Sequence, residues 1–99
     1  MNEQINILVI GRHEQIMDTV VRLINTQPNW NAHGAMTDEQ AMVTFSQNKF
    51  DLVLVGGGVE EASETKFNME FEKINPQVKI IRHYGGGSGL LFNEIREAL

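Results

Sequence analysis

The stretch Phe50-Asp51-Leu52-Val53-Leu54-Val55-Gly56-Gly57-Gly58 restricts the possible folds of this chain more than any other. It is a short apolar run without alternation, closed by three glycines. A strand with one wet face alternates apolar and polar residues, whereas a strand covered on both faces reads as a continuous apolar run. The stretch therefore predicts a central strand of a parallel sheet. The glycines mark its carboxyl end, where open α/β sheets receive ligands and where glycine lets backbone approach a ligand or take a positive φ.

The rest of the chain supplies partners for such a strand. Ile5-Asn6-Ile7-Leu8-Val9-Ile10 is a second apolar run, rich in β-branched residues and ending at Gly11, and it predicts the first strand. Ile16, Met17, Val20, Leu23 and Ile24 then recur at helical spacing, with Asp18 and Arg22 on the other side. This first helix stops before Pro28, whose ring disfavours helix in the residue ahead of it. Residues 30–35 are less apolar and carry Gly34, which suits a short edge strand. Thr37-Asp38-Glu39-Gln40 has the capping-box pattern, with acidic side chains favourable to the helix dipole, and opens a second helix whose inner stripe is Ala41, Met42 and Phe45.

Residues 59–75 carry Phe67, Phe71 and Ile74 at helical spacing among Glu60, Glu61, Glu64, Glu70 and Glu72, so the acidic run reads as a solvated helix face. Asn75-Pro76 ends this helix. Residues 78–83 are the fourth strand, followed by Tyr84 and Gly85-Gly86-Gly87-Ser88-Gly89. Residues 90–99 form a last helix with Leu91, Ile95, Ala98 and Leu99 as its apolar face. Strand and helix alternate four times, and right-handed crossovers then place helices on both faces of a parallel sheet. Residues 1–99 are expected to form a single α/β domain.

Composition narrows the function. The chain has no cysteine, which removes disulfides, thiolate chemistry and cysteine-ligated metals. A net charge of −5 argues against gripping nucleic acid by broad phosphate neutralisation. No apolar run approaches a membrane span, and Met1-Asn2-Glu3-Gln4 lacks the regions of a secretory signal, so a cytoplasmic location away from membranes is expected. His13, His33 and His83 match no metal-ligand spacing, and no metal or other cofactor is expected.

Thr37-Asp38-Glu39-Gln40-Ala41-Met42 running into Phe50-Asp51-Leu52-Val53-Leu54-Val55 resembles the receiver domain of two-component response regulators. The last ten residues are similar to the final receiver helix. The resemblance implies a three-layer, flavodoxin-like fold. Set beside the family, the chain lacks a whole strand–helix unit before its last helix, so the receiver-like order shortens to a four-stranded parallel sheet of order 2-1-3-4. The family's chemistry does not carry over. Gly56 stands where the resemblance places the phosphoacceptor aspartate, and Gly11 and Arg12 stand where it places the acidic pair that holds magnesium. Carboxylates are needed to accept a phosphoryl group and to bind so hard a cation. The hydroxyl expected after the fourth strand is matched at best by Tyr84, and the lysine of a fifth strand has no counterpart. A weaker likeness to cobalamin-binding domains rests on His13 and fails at Gly11 and Ile16, where that motif has Asp and Gly.

With this strand order the ends of the first, third and fourth strands lie side by side. They carry Gly11, Arg12 and His13, then Gly56, Gly57 and Gly58, then His83, Tyr84, Gly85, Gly86, Gly87, Ser88 and Gly89. These residues are the candidate ligand-binding set. Backbone N–H groups of a glycine loop at a helix start can bind an anion, with Ser88 adding a hydroxyl and Arg12, His13 and His83 further contacts. The same glycines can also serve turns alone. Neither run is a P-loop, because Leu90 follows Gly89 where a Lys-Ser or Lys-Thr pair is required. No nucleophile and base stand in a recognisable frame, since G-x-S-x-G fails at Leu90, and no catalytic residue is expected.

Two functions remain. The first is a non-enzymatic, phosphorylation-independent signalling or protein-interaction module, pairing with a protein partner or with itself through the open fourth-strand edge and the last helix. The second is a module that binds a phosphorylated or other anionic small molecule over the glycines.

Overall fold

The computed structural model describes residues 4–83 and 88–99. The elements run β1 (Ile5–Ile10), α1 (Glu14–Asn25), β2 (Trp30–Ala35), α2 (Asp38–Gln47), β3 (Leu52–Gly56), α3 (Glu61–Ile74), β4 (Lys79–His83) and α4 (Ser88–Ala98). The strands form one parallel sheet in the order β2-β1-β3-β4, as expected. β1 and β3 are central, and Ile10 aligns with Ala35 of β2 on one side and Val55 of β3 on the other.

Burial on both faces explains the two apolar runs. Leu8, Ile10, Val53 and Val55 point to one face, where α2 and α3 cover them with Ala41, Phe45, Phe67 and Phe71. Ile7, Val9, Leu52 and Leu54 point to the other, where α1 and α4 bring Ile24, Leu91 and Ile95. On the first face four phenylalanines stack in a row: Phe50 on Phe45 at 5.8 Å, Phe45 on Phe71 at 4.1 Å and Phe71 on Phe67 at 5.2 Å between ring centroids. Offset stacking of buried rings adds to the gain from removing their area from water.

Local signals set most of the boundaries. The Thr37 hydroxyl accepts from the Gln40 N–H at 3.0 Å, the first half of the capping box. The second half is displaced by one residue, because the Gln40 side-chain oxygen accepts from the Met36 N–H at 2.6 Å rather than from Thr37. Asp51 ties the two central strands at their amino ends, its carboxylate accepting from the Asn6 N–H at 2.9 Å.

Two periodic residues depart from the expected inner stripes. Ile16 is 64% exposed and Ile74 is 55% exposed. Each lies in a terminal turn of its helix. Leu99, also expected inside, lies one residue beyond α4 and is exposed. Trp30, at the start of β2, packs edge-to-face on Phe92 of α4 at 5.9 Å, with the Arg96 guanidinium 5.7 Å from its ring centroid. Trp30 and Phe92 pack, partly buried, against the core of the α1 and α4 face.

Candidate functional site at the carboxyl ends of the strands

Order β2-β1-β3-β4 reverses direction between β1 and β3, which is where α/β sheets of this kind open a crevice. Gly11, Arg12 and His13 leave β1 at this point, Gly56 ends β3, Gly57 and Gly58 follow it, and His83 ends β4. The backbones are close here. A β-carbon at Gly56 would stand 3.1 Å from the Ile10 carbonyl oxygen, and one at Gly58 would stand 3.7 Å from both the Arg12 stem and the His13 ring. The tight contact is the one at Gly56, where glycine lets the end of β3 approach the Ile10 carbonyl, whereas the distances at Gly58 are ordinary van der Waals contacts.

The structure brings together Gly11, Arg12, His13, Gly56, Gly57, Gly58 and His83 around one cleft. Ser88 opens α4 and Gly89 follows it, with nothing within 4 Å of where a β-carbon on Gly89 would sit. Tyr84, Gly85, Gly86 and Gly87, and the side chain of Ser88, lie outside the described residues.

Arg12 does not face the cleft with its charge. Its guanidinium turns toward the α2 and α3 side, donating to Asp38 Oδ1 at 2.5 Å, to the Met36 carbonyl at 3.0 Å and to Glu60 Oε1 at 3.3 Å. The Ser63 hydroxyl, the one buried polar side chain among the described residues, donates to Asp38 Oδ2 at 2.8 Å. Desolvation disfavours the charged guanidinium, but the bonds and charges of Asp38 and Glu60 outweigh it and raise the pKa of Arg12 above the ordinary arginine value. Desolvation likewise disfavours the Asp38 carboxylate. The Ser63 hydroxyl and Arg12 overcome it and hold the Asp38 pKa below the usual carboxylate range.

A second arginine is clamped in the same way. Arg82 of β4 donates to Glu64 Oε1 at 2.8 and 2.9 Å, to the Val59 carbonyl at 2.9 Å and to the Gly56 carbonyl at 3.3 Å. It fastens the turn between β3 and α3 to β4. On the opposite face His83 Nδ1 meets Glu94 Oε1 of α4 at 2.6 Å. The strand ends are thus less basic than their own residues suggest, because Asp38, Glu64 and Glu94 are delivered to them by helices and Glu60 by the residue that precedes α3.

Sequence reasoning missed these four carboxylates. Asp38 read as a helix-dipole residue, and Glu60 and Glu64 as part of a solvated face. A signal existed in the strand order: residues just past β1 and β2, or just past β3 and β4, must be neighbours in a parallel sheet, so Arg12 falls near Asp38 and Arg82 near the start of α3.

The cleft itself runs between α1 and α4 and encloses about 580 Å³. Met17, Val20, Leu23, Leu54 and Leu91 wall it, and Arg12, His13, Gln15, Thr19 and His83 supply its polar lining.

No family model matches the chain, and no curated protein matches its sequence. Solved structures do match. The fold is that of a response-regulator receiver domain. A CheY-like receiver domain protein from Methanospirillum hungatei JF-1 is similar over 96% of this chain and 93% of its own, with a TM-score of 0.80 at 14% identity. A receiver domain protein from Clostridium thermocellum is similar over 95% of this chain and 76% of its own, with a TM-score of 0.71 at 21% identity. A chain of the crystal structure of the phosphorylated P1 domain of CheA3 in complex with CheY6 from R. sphaeroides also matches, over 96% of this chain and 98% of the matched one, with a TM-score of 0.63 at 12% identity. Among the described residues no helix is long and apolar enough to cross a membrane.

Proposed function

We propose that this chain is a single receiver-like domain that works as a signalling or protein-interaction module without accepting phosphate and without catalysing a reaction. One observation carries the reading: Arg12 stands after β1 with its guanidinium bonded to Asp38 and Glu60. In the receivers it resembles, the positions after the first strand hold carboxylates that bind magnesium, and the end of the third strand offers an aspartate. Here an arginine neutralises the nearby carboxylates, and Gly56 presents no side chain. A divalent cation would have to displace a guanidinium from its two carboxylates, and a phosphoryl group would find no carboxylate on β3 to attack it.

A fold without its switch can still offer surface. A receiver of similar fold, CheY6, is recorded with a P1 domain, and a protein partner suits this chain on the same grounds. β4 is an edge strand, paired with β3 alone among the described residues, and Ile80 and Ile81 are half-buried there. Pairing of two copies through β4 and α4 would cover this edge and enlarge a small core.

Intact-mass measurement after incubation with acetyl phosphate and magnesium, combined with sedimentation equilibrium, tests the reading. The expected result is an unmodified chain that sediments as a dimer, reverting to monomer when Ile80→Pro removes an edge donor, the Lys79 N–H and hence the Ile81 N–H being the ones that face β3. Addition of one phosphoryl group overturns the phosphorylation-independent part, and a monomer at all concentrations overturns the self-pairing part.

A further inference from the structure

The cleft between α1 and α4 takes no part in the reading above. We propose that it is a binding site for a neutral, mostly apolar small molecule that carries a hydroxyl group, an aliphatic or aromatic alcohol, with the hydroxyl held by His83.

Its size and place suit a ligand. Small-molecule sites are clefts of about 300 to 1,000 Å³, mostly apolar, with a few polar groups that fix orientation. This cleft holds about 580 Å³, stands at the β1/β3 switch point, and is walled by Val20 and Leu23 of α1, Leu54 of β3 and Leu91 of α4. Ile16 stands at its lip, 64% exposed, which is a large apolar side chain left in water beside an apolar cavity. A ligand with an apolar body would cover it.

The polar end chooses the head group. The His83 side chain is only 12% exposed, and its Nδ1 is held by Glu94 Oε1 at 2.6 Å. A carboxylate only accepts, so Nδ1 carries the hydrogen of this bond, and Nε2, bonded to no other group among the described residues, is the nitrogen left to a ligand. A hydroxyl both donates and accepts, so it satisfies Nε2 in either charge state of the ring. An anion is opposed here. Glu94 already supplies a negative charge to His83, while the guanidiniums of Arg12 and Arg82 are engaged by Asp38, Glu60 and Glu64 toward the α2 and α3 side. This charge distribution favours an alcohol over the phosphorylated ligand that the glycines alone suggest.

Octanol and octyl phosphate are the probes, titrated into the full chain while the methyl groups of Val20, Leu23, Leu54 and Leu91 are followed in two-dimensional carbon–proton spectra. Octanol is expected to shift these four residues in a saturable way and to leave Val53 and Val55 on the opposite face unmoved. Octyl phosphate is expected to bind at least tenfold more weakly. Thr19→Trp, which fills the cleft from an exposed position, and His83→Phe, which removes Nε2, are each expected to weaken octanol at least tenfold. The unshifted methyl pattern of the α2 and α3 face reports that each variant is folded. Absence of a saturable shift, or shifts centred on the opposite face, overturns the site. Octyl phosphate binding as tightly as octanol, or undiminished binding by folded His83→Phe, overturns the assigned head group.

Discussion

Arg12, leaving β1, and Asp38, in the first turn of α2, are joined by a 2.5 Å bond between guanidinium and carboxylate, although 26 residues separate them in the chain. The parallel pairing of β1 with β2 makes them neighbours, and the Ser63 hydroxyl fixes the second carboxylate oxygen from α3. Three elements therefore meet through one carboxylate.

Asp38→Asn is expected to destabilise the fold by about 1 kcal/mol, the scale of a partly exposed charge-assisted bond. The loss depends on pH. The folded-state pKa of Asp38 lies below its unfolded value of about 3.9, so its contribution is complete above that value and disappears as pH falls through the folded-state pKa. Urea titrations of both proteins are expected to differ at neutral pH and to converge in acid.

Arg82→Lys is expected to cost about 2 kcal/mol and to loosen the turn after β3. A lysine cannot reproduce a fork that reaches Glu64 and the Val59 and Gly56 carbonyls together, and those acceptors are left short of donors. Hydrogen exchange at the Val59 amide, which donates to the Gly56 carbonyl at 3.1 Å, is the local readout and is expected to accelerate.

Phe71→Ala is expected to cost about 3 to 5 kcal/mol, because Phe71 is fully buried and touches both Phe45 and Phe67. A domain of this size has about 5 to 15 kcal/mol in total, so the variant loses much of its stability by chemical denaturation. Phe71→Leu, which keeps most of the volume, is expected to retain the fold with a smaller loss.

Gly56→Asp is expected not to confer phosphorylation by acetyl phosphate, as read by intact mass. The carboxylate would arrive with no companion acid after β1, where Gly11 and Arg12 stand, and its β-carbon would crowd the Ile10 carbonyl. A phosphorylated variant would show that the missing aspartate alone separates this chain from an active receiver.

The architecture was largely legible in the sequence for a physical reason. A strand buried on both faces, such as Leu52 to Val55, must be apolar throughout, and an edge strand such as Trp30 to Ala35 need not be. The capping box at Thr37 and Gln40 located a helix start from local chemistry alone. What stayed illegible was whatever depends on a distant partner. Periodicity put Ile16 on the inner stripe but said nothing of whether sheet or helix lay above it. Glu64 looked like its solvated neighbours until β4 brought Arg82 to it. For the site, residue types at the strand ends were readable, and the neutralisation of their cations by helix-borne carboxylates was not. The glycines at 85–87 lie outside the described residues.

The most direct test of a receiver fold without receiver chemistry is a nitrogen–proton spectrum recorded before and after adding magnesium and beryllofluoride, which mimics an acyl phosphate on a phosphoacceptor aspartate. The expected result is unchanged amide positions for Gly11, Arg12 and Gly56. Saturable shifts at these three residues, extending along β4 toward His83, would contradict it.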